Sequence, residues 1–271
     1  MEAHLHPTLT LFVFTVILAI CFPAIWCQET RPFDVCGQSV ECGGIPIDYP
    51  FWGSDLPAYC GHPGFQLTCE SNVPLLNYQS VNYRVLDTNT STQTITIARK
   101  DLWANICPQF LYNTSYSSLF FQDDNFGQRN VSLYYECNTD LRLKPLGANF
   151  KFTCNVNDSE SDGYFFRTDL IAPNMTNFLA QCKNHIDVPV NQSSAARLAS
   201  TAATTEDLRS ALMAGFNLQW TAPDDKCYQC IRSNGRCGSN LSLPELFVCY
   251  CDSGNFSVTC NSTNGSGGKY Y

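Results

Sequence analysis

The chain has 271 residues and a net charge of −8, because 24 acidic side chains outnumber 16 basic ones. It contains no basic run, which excludes the clustered positive charge that binding to nucleic acid requires. Sixteen cysteines in a chain of this length are typical of a secreted, disulfide-bonded protein rather than a cytosolic one.

The first element along the chain is an apolar N-terminal segment. Residues 9–27 are almost wholly apolar, Pro23 interrupts the run near its end, and polar residues follow from Gln28. This pattern predicts a signal peptide over residues 1–27 and hence a secreted protein of the extracellular space or cell wall. The absence of Lys and Arg before the apolar run leaves open an uncleaved signal anchor that tethers the chain to the membrane.

The next element is an extended segment with a cluster of aromatic side chains. Ile45, Ile47, Tyr49 and Phe51 would share one face of a strand, and we expect that face to belong to the core. Trp52 points the other way and precedes a turn. Sugar rings stack well on exposed aromatic faces, so Trp52 is the predicted aromatic contact for a carbohydrate ligand.

Strict alternation of apolar and polar residues predicts strands in the first half of the secreted chain. The segments are VNYRVLD (residues 81–87), TITIA (residues 94–98) and NVSLYYEC (residues 130–137). The turn sequence DTNTS separates the first two segments, which would allow them to pair as a hairpin.

The second half begins with another alternating segment, NFKFTC (residues 149–154). The polar stretch over residues 191–205 could be a linker or partly helical. The clearest helix follows it near residues 205–215, since Thr204 or Thr205 can cap its start and Gly215 suits its end.

Two cysteines fall in the predicted signal peptide, and the other fourteen predict a disulfide framework. Six precede residue 140 and eight follow it, so each half can close its bridges internally. The predicted fold is therefore mainly β and disulfide-rich, with two small cystine-stapled modules over residues 28–146 and 147–271 and one short helix. The cysteines are Cys36, Cys42, Cys60, Cys69, Cys107, Cys137, Cys154, Cys182, Cys227, Cys230, Cys237, Cys249, Cys251 and Cys260.

Asn-x-Ser/Thr sequons are unusually frequent, and each predicts a surface position carrying an N-glycan. The ten positions are Asn89, Asn113, Asn130, Asn157, Asn174, Asn191, Asn240, Asn255, Asn261 and Asn264.

Motifs for catalysis or metal binding are weak. Cys227 and Cys230 form a C-x-x-C pair, but Cys249-x-Cys251 is poorly spaced to complete a zinc site, and structural disulfides explain these cysteines better. No nucleophile elbow, zinc-protease motif or kinase signature occurs. The sequence therefore predicts neither an enzyme nor a metal site.

Two segments resemble a plant family. The first half contains CGGIPIDYPFWG and YCGHPGFQLTC, and the second contains GFNLQW, CYQCIRSNGRCG and FVCYC. These motifs are similar to the galacturonan-binding domain and the C-terminal module of wall-associated receptor-like kinases, of the leaf-rust-resistance type. Family members usually continue into a membrane span and a kinase, so the chain resembles the ectodomain without the kinase. The family also commonly has a smaller residue where Trp52 stands.

The resemblance implies non-catalytic binding of pectic galacturonan in wall sensing or defence, with pectic polysaccharide or oligogalacturonide as the partner. The alternative is a protein-interaction module that acts as a soluble decoy or co-receptor for receptor-like kinases.

Galacturonan is a polyanion and this chain is acidic, so binding needs either a local basic patch or calcium bridging carboxylates on both partners. No other cofactor is expected. In a hairpin, Arg84, Arg99 and Lys100 could fall on one side and form that patch. The alternative interpretation is that they are isolated, solvated charges.

Overall fold

The computed structural model describes residues 30–123, 127–137, 150–156, 159–240 and 242–260. Within these residues the secondary structure includes sixteen strands, five short α-helices and two 3-10 helices, which confirms the predicted mainly β, disulfide-rich fold class. The predicted signal peptide lies outside the described residues. Among the described helices, none combines the length and the apolar character needed to cross a membrane.

The largest sheet has seven strands in the order β3-β4-β5-β6-β7-β13-β8. Only the β3–β4 pair is parallel, and the other neighbours in this sheet are antiparallel. The strands are β3 (Trp52–Gly53), β4 (Gln66–Glu70), β5 (Val73–Tyr78), β6 (Val81–Asn89), β7 (Thr94–Arg99), β8 (Phe121–Asp123) and β13 (Phe216–Trp220). A short hairpin, β1 (Glu41–Cys42) with β2 (Ile45–Pro46), precedes it.

One face of this sheet carries an aromatic core. Val81, Tyr83 and Val85 are buried, as the alternation predicts. Phe51 packs edge-on against Phe65 and Trp220 with ring centroids 5.7 and 5.1 Å apart. The expectation that Phe51 belongs to the core is therefore confirmed by its burial.

A second sheet has four antiparallel strands in the order β10-β11-β9-β12. Its strands are β9 (Arg129–Cys137), β10 (Lys151–Val156), β11 (Ser159–Arg167) and β12 (Asn184–Val190). Both faces are covered. One buries side chains such as Leu133 and Ile186 in a core shared with two helices, and the other packs Phe166 against Phe178 and Leu179 of a third helix.

The helices are short: α1 (Pro32–Val35), α2 (Pro173–Leu179), α3 (Gln192–Leu198), α4 (Thr205–Ala214) and α5 (Asp224–Arg232). Helix α4 is the one predicted near residues 205–215. Thr204 and Asp207 form a reciprocal capping box at its start, and Gly215 ends it with φ of 66°. The polar stretch before it is partly helical, because it contains α3.

The C-terminal region, residues 227–260, contains most of α5 and a three-stranded sheet of β14 (Arg236–Asn240), β15 (Leu243–Cys251) and β16 (Gly254–Phe256). Its buried core consists of five cysteines and Phe247. Tyr49 packs edge-on against Phe247 at 5.8 Å between ring centroids, so this region lies directly against the segment around Tyr49.

The fourteen cysteines form seven disulfides. The pairs are Cys36–Cys60, Cys42–Cys69, Cys107–Cys154, Cys137–Cys182, Cys227–Cys237, Cys230–Cys249 and Cys251–Cys260. The expectation that each half closes its own bridges is wrong for the third and fourth pairs, which join the two halves. An even number of cysteines in each half cannot reveal such bridges, because two bridges that cross between the halves use two cysteines from each half and leave both counts even.

The two halves also share their sheets. β13 comes late in the chain but pairs with β7 and β8, whereas β9 comes early but lies between β11 and β12. The predicted boundary between residues 146 and 147 lies outside the described residues.

Candidate functional site

The hairpin of β6 and β7 has the pairing that the sequence predicts, and its register decides where the predicted ligand-binding cations point. Tyr83 lies opposite Arg99, and Arg84 lies opposite Ala98. Residues directly opposite each other in an antiparallel pair project from the same face. Arg99 therefore lies on the face of Tyr83, which is the core face, and Arg84 lies on the other.

Arg99 is consequently buried, with 1% of its side chain exposed. Its guanidinium forms a two-pronged ion pair with Asp101 at 3.0 and 2.6 Å and donates to the carbonyl oxygen of Tyr112 at 2.5 Å. The expectation that three cations share one side of the hairpin is wrong for Arg99. Its charge is fully paired inside the fold and is not accessible to a polymer.

Arg84 and Lys100 do share the outer face. The backbone nitrogen of Lys100 donates to the carbonyl of Asn82, two positions from Arg84 along β6. The side chain of Lys100 is 41% exposed, and its ammonium nitrogen lies 2.6 Å from the carboxylate of Glu70, which is also exposed. Such a surface pair contributes little to stability, so a ligand carboxylate can replace Glu70 at small cost.

Arg84 is held in place by an aromatic ring. Its guanidinium carbon lies 4.1 Å from the ring centroid of Trp103, and its Nε is buried without a hydrogen-bond partner in the described residues. Trp103 follows Lys100 in a tight turn, because its backbone nitrogen donates to the Lys100 carbonyl at 3.3 Å. We refer to Glu70, Arg84, Lys100 and Trp103 as the outer-face cluster.

Trp52, the predicted carbohydrate-stacking residue, is half-buried. Its indole Nε1 donates to the carbonyl oxygen of His62 at 3.0 Å, and its ring packs against the core of the seven-stranded sheet. Gly61 lies so close to this ring that any side chain there would collide with it. Trp52 thus contributes to the local packing with part of its surface, and its role as a carbohydrate contact stays a prediction.

Trp103 was not among the predicted site residues. It stands four residues after Arg99 in a turn, and a tryptophan that follows a strand carrying cations was a usable indicator of a cation–aromatic contact. The predicted site residues also did not include an exposed aromatic pair, Phe110 and Tyr112, whose rings stack at 6.0 Å between centroids.

The cysteine sulfurs of Cys249, Cys251 and Cys260 lie within 4.8 Å of one another. All three are engaged in disulfides, to Cys230 or to each other, so they supply no thiolate. Their proximity reflects the close packing of two bridges.

Comparison with known proteins assigns families to two parts of the chain. Residues 36–99 match the family described as wall-associated receptor kinase galacturonan-binding, and residues 153–254 match the family described as wall-associated receptor kinase C-terminal. The outer-face cluster therefore lies within or just beyond the first match.

Two relatives from Arabidopsis thaliana illustrate the similarity. The chain is 32% identical over 251 residues to leaf rust 10 disease-resistance locus receptor-like protein kinase-like 1.2, and 28% identical over 233 residues to the 2.1 protein of that series. The alignments cover 88% and 83% of this chain but only 35% of each relative. No solved structure matches.

Proposed function

The chain carries the galacturonan-binding and C-terminal modules of the wall-associated receptor kinases, and from this premise we propose that it binds acidic pectic polysaccharide without catalysing its conversion. The two family matches support a location outside the cell or at its surface and a role in cell-wall sensing. The observation that carries the proposal is the outer-face cluster, where Arg84 and Lys100 lie on the exposed face of the matched sheet.

The chemistry of the cluster suits a uronate polymer. Lys100 is accessible and its partner Glu70 is a weakly held surface carboxylate, so exchange for a galacturonate carboxylate conserves the ion pair. Trp103 fixes the charge of Arg84 beside it, which reduces the entropy lost on binding. Because the whole chain is negative, this local positive charge must offset a long-range repulsion.

Calcium could also offset that repulsion. It would bridge the carboxylates of Glu70 and a uronate, so that the uronate would not have to replace Glu70 at Lys100. The two modes have opposite ion dependence. Direct pairing to Lys100 weakens with added salt and is indifferent to chelation, whereas a calcium bridge is lost with a chelator.

The test is titration of the full secreted chain with an oligogalacturonide, with calcium or with chelator. Lys100→Ala should weaken binding by about fivefold, the equivalent of roughly 1 kcal/mol. Lys183→Ala is the control, since Lys183 is also an exposed lysine paired with a glutamate, the half-buried Glu136 at 2.7 Å, on the other sheet. Equal losses in the two variants, or no binding in either ionic condition, would overturn the proposal.

A second candidate is association with receptor-like kinases as a decoy or co-receptor. Helix α5 favours it, because Tyr228 and Ile231 are 62% and 56% exposed within the C-terminal module. Large exposed apolar side chains at adjacent helical positions are typical of protein contacts. Tyr228→Ser with Ile231→Ser should abolish co-precipitation of a related receptor ectodomain and leave oligogalacturonide binding intact. Unchanged co-precipitation would reject this candidate.

A further inference from the structure

A polar cleft of about 630 Å³ lies away from the outer-face cluster, between β8, β9, β12 and the segment before β8. Its size is within the usual range for ligand pockets. We call it the polar cleft, and its lining includes Asn113, Tyr116, Asp123, Gln128, Arg129 and Asp169.

The lining is rich in hydrogen-bond acceptors. Asp123 accepts from the hydroxyl of Tyr116 and, at 2.9 Å, from the amide of Gln128. The Oε1 of Gln128 and the hydroxyl of Thr114 are buried without a partner in the described residues. A ligand that brings hydroxyl donors would satisfy these atoms.

The charge of the cleft disfavours the uronate polymer proposed for the outer face. Asp123, Asp169 and Asp187 all line it, and Arg129 is the cation among the lining residues. Arg129 already lies 3.7 Å from Asp169, whose pKa is lowered by its hydrogen-bonded pair with Arg167. Because carboxylates dominate, the cleft favours a neutral, hydroxyl-rich ligand over an anionic one.

Such a ligand is provided for by the chain itself. Asn113 starts the sequon Asn113-Thr114-Ser115 and lines the cleft. Its Oδ1 accepts a hydrogen bond from the backbone nitrogen of Asp187 at 3.1 Å. An N-glycosidic bond forms at the amide nitrogen and retains this oxygen, so the hydrogen bond is compatible with glycosylation.

The sequon is also held rigidly. The backbone nitrogen of Thr114 donates to the carbonyl of Asp187, while the hydroxyl of Tyr83 donates to the carbonyl of Ser115 at 2.7 Å. Tyr83 belongs to the sheet core, so the root of a glycan on Asn113 has a fixed position relative to the cleft. Tethering of this kind raises the effective concentration of the first sugars to the order of millimolar.

We propose that the polar cleft is the binding site for the chain's own N-glycan, attached at Asn113. The neutral sugars next to the asparagine donate hydroxyl hydrogens to Asp123, Gln128 and Thr114, and the seated glycan covers the acidic lining. This inference is independent of pectin binding, which uses the opposite charge on another surface.

The sequon at Asn89 is the natural comparison. Asn89 is the last residue of β6, at the turn to β7, and its Oδ1 accepts hydrogen bonds from the backbone nitrogens of Ser91 and Thr92 at 3.0 and 3.2 Å. That turn is exposed and polar, and Asn89 is outside the cleft lining. A glycan there has its root in solvent.

The test uses the full chain, secreted with uniform high-mannose glycans and digested with an endoglycosidase. Site-resolved mass spectrometry measures the rate at which the glycan at each asparagine is released. In the native protein the Asn113 glycan should be released at least about tenfold more slowly than the Asn89 glycan. After denaturation the two rates should be equal. Gln128→Ala and, separately, Asp123→Asn should accelerate release at Asn113 alone.

A stability measurement provides the second arm. Ser115→Ala and Ser91→Ala remove one sequon each by the same substitution, and only Ser115→Ala should lower Tm. An unoccupied Asn113, equal native release rates at the two sites, or slow release that neither cleft variant changes would each overturn the proposal.

Discussion

In the seven-stranded sheet the buried interior is made mainly of aromatic and branched side chains such as Phe51, Phe65 and Trp220, and the disulfides Cys36–Cys60 and Cys42–Cys69 each add one buried cysteine to it. In the C-terminal region five of the six core residues are cysteines, with Phe247 as the sixth. In the first region disulfides therefore supplement an aromatic and aliphatic core, whereas in the second region the disulfides themselves make up most of the core.

This difference teaches how a short segment obtains a fixed structure. The sheet buries enough apolar surface to offset the entropy of ordering its chain. Residues 227–260 are too few and too polar for that, so three bridges restrict the unfolded state instead. The two regions should respond differently when each kind of support is removed.

The largest effect is expected in the sheet core. Trp220→Ala should lower the free energy of unfolding by about 3–5 kcal/mol, because it leaves a cavity beside Phe51 and removes the donor that contacts Asp224 at 3.2 Å. Urea denaturation measures this loss. Trp103→Ala is the matched control and should cost roughly 1 kcal/mol, since Trp103 is half-buried on the outer face. Similar losses for the two would contradict a sheet stabilised mainly by its interior.

The next effect concerns the cystine core. Replacing Cys230 and Cys249 by serine should cost about 2–4 kcal/mol and expose residues 227–260 to proteolysis while the amides of β6 and β7 stay protected from hydrogen exchange. The same replacement of Cys42 and Cys69 should leave its region protected, because the aromatic core remains. Chain entropy alone predicts otherwise, since those bridges span 19 and 27 residues and should cost nearly the same.

The smallest effect lies at the junction of the two regions. Burial raises the pKa of Asp224, opposed by hydrogen bonds from Trp220 and Gln93. Because the pKa of this carboxyl is raised in the folded state, the protein loses stability as pH rises through that pKa. Below the pKa of the unfolded chain, about 3.9, the carboxyl is protonated in both states and costs no stability. Asp224→Asn should therefore raise Tm slightly at pH 7, with no gain at pH 3.

Asp55, which is exposed in another part of the chain and does not contribute to the pKa of Asp224, supplies the control for that measurement. Asp55→Asn should leave the difference in Tm between pH 7 and pH 3 unchanged. A lower Tm for Asp224→Asn at pH 7 would mean that its charged hydrogen bonds outweigh the burial.

Sequence pattern predicted the strands and helices that are determined by neighbouring residues in the chain. Alternation located β6, β7 and β9, and the pair of Thr204 and Gly215 located both ends of α4. It could not find the partner of β13, because period-two alternation shows which side chains face inward but not which strand lies alongside. The bridges that join the halves escaped for the same reason.

The site was predicted less well. Lys100 and Arg84 lie on the outer face as expected, but Arg99 was expected beside them because pairing of the two strands as a hairpin could bring all three cations to one side. The hairpin register turns it inward, where Asp101 pairs with it. The Arg-x-Asp spacing was visible in the sequence, whereas the register depends on a bulge between Val85 and Asp87 that the sequence does not reveal.

The position of β13 has a consequence for synthesis on the ribosome. Strand β7 pairs with it through residues such as Thr96 and Asn217, whose side chains bond at 2.9 Å across a separation of 121 residues. As the polypeptide emerges N-terminus first, β7 keeps a row of unpaired amides until translation has passed Trp220, and β8 has no neighbour in its sheet until then. A nascent chain must be shielded from like chains throughout that interval, and one released early carries an open edge that favours aggregation.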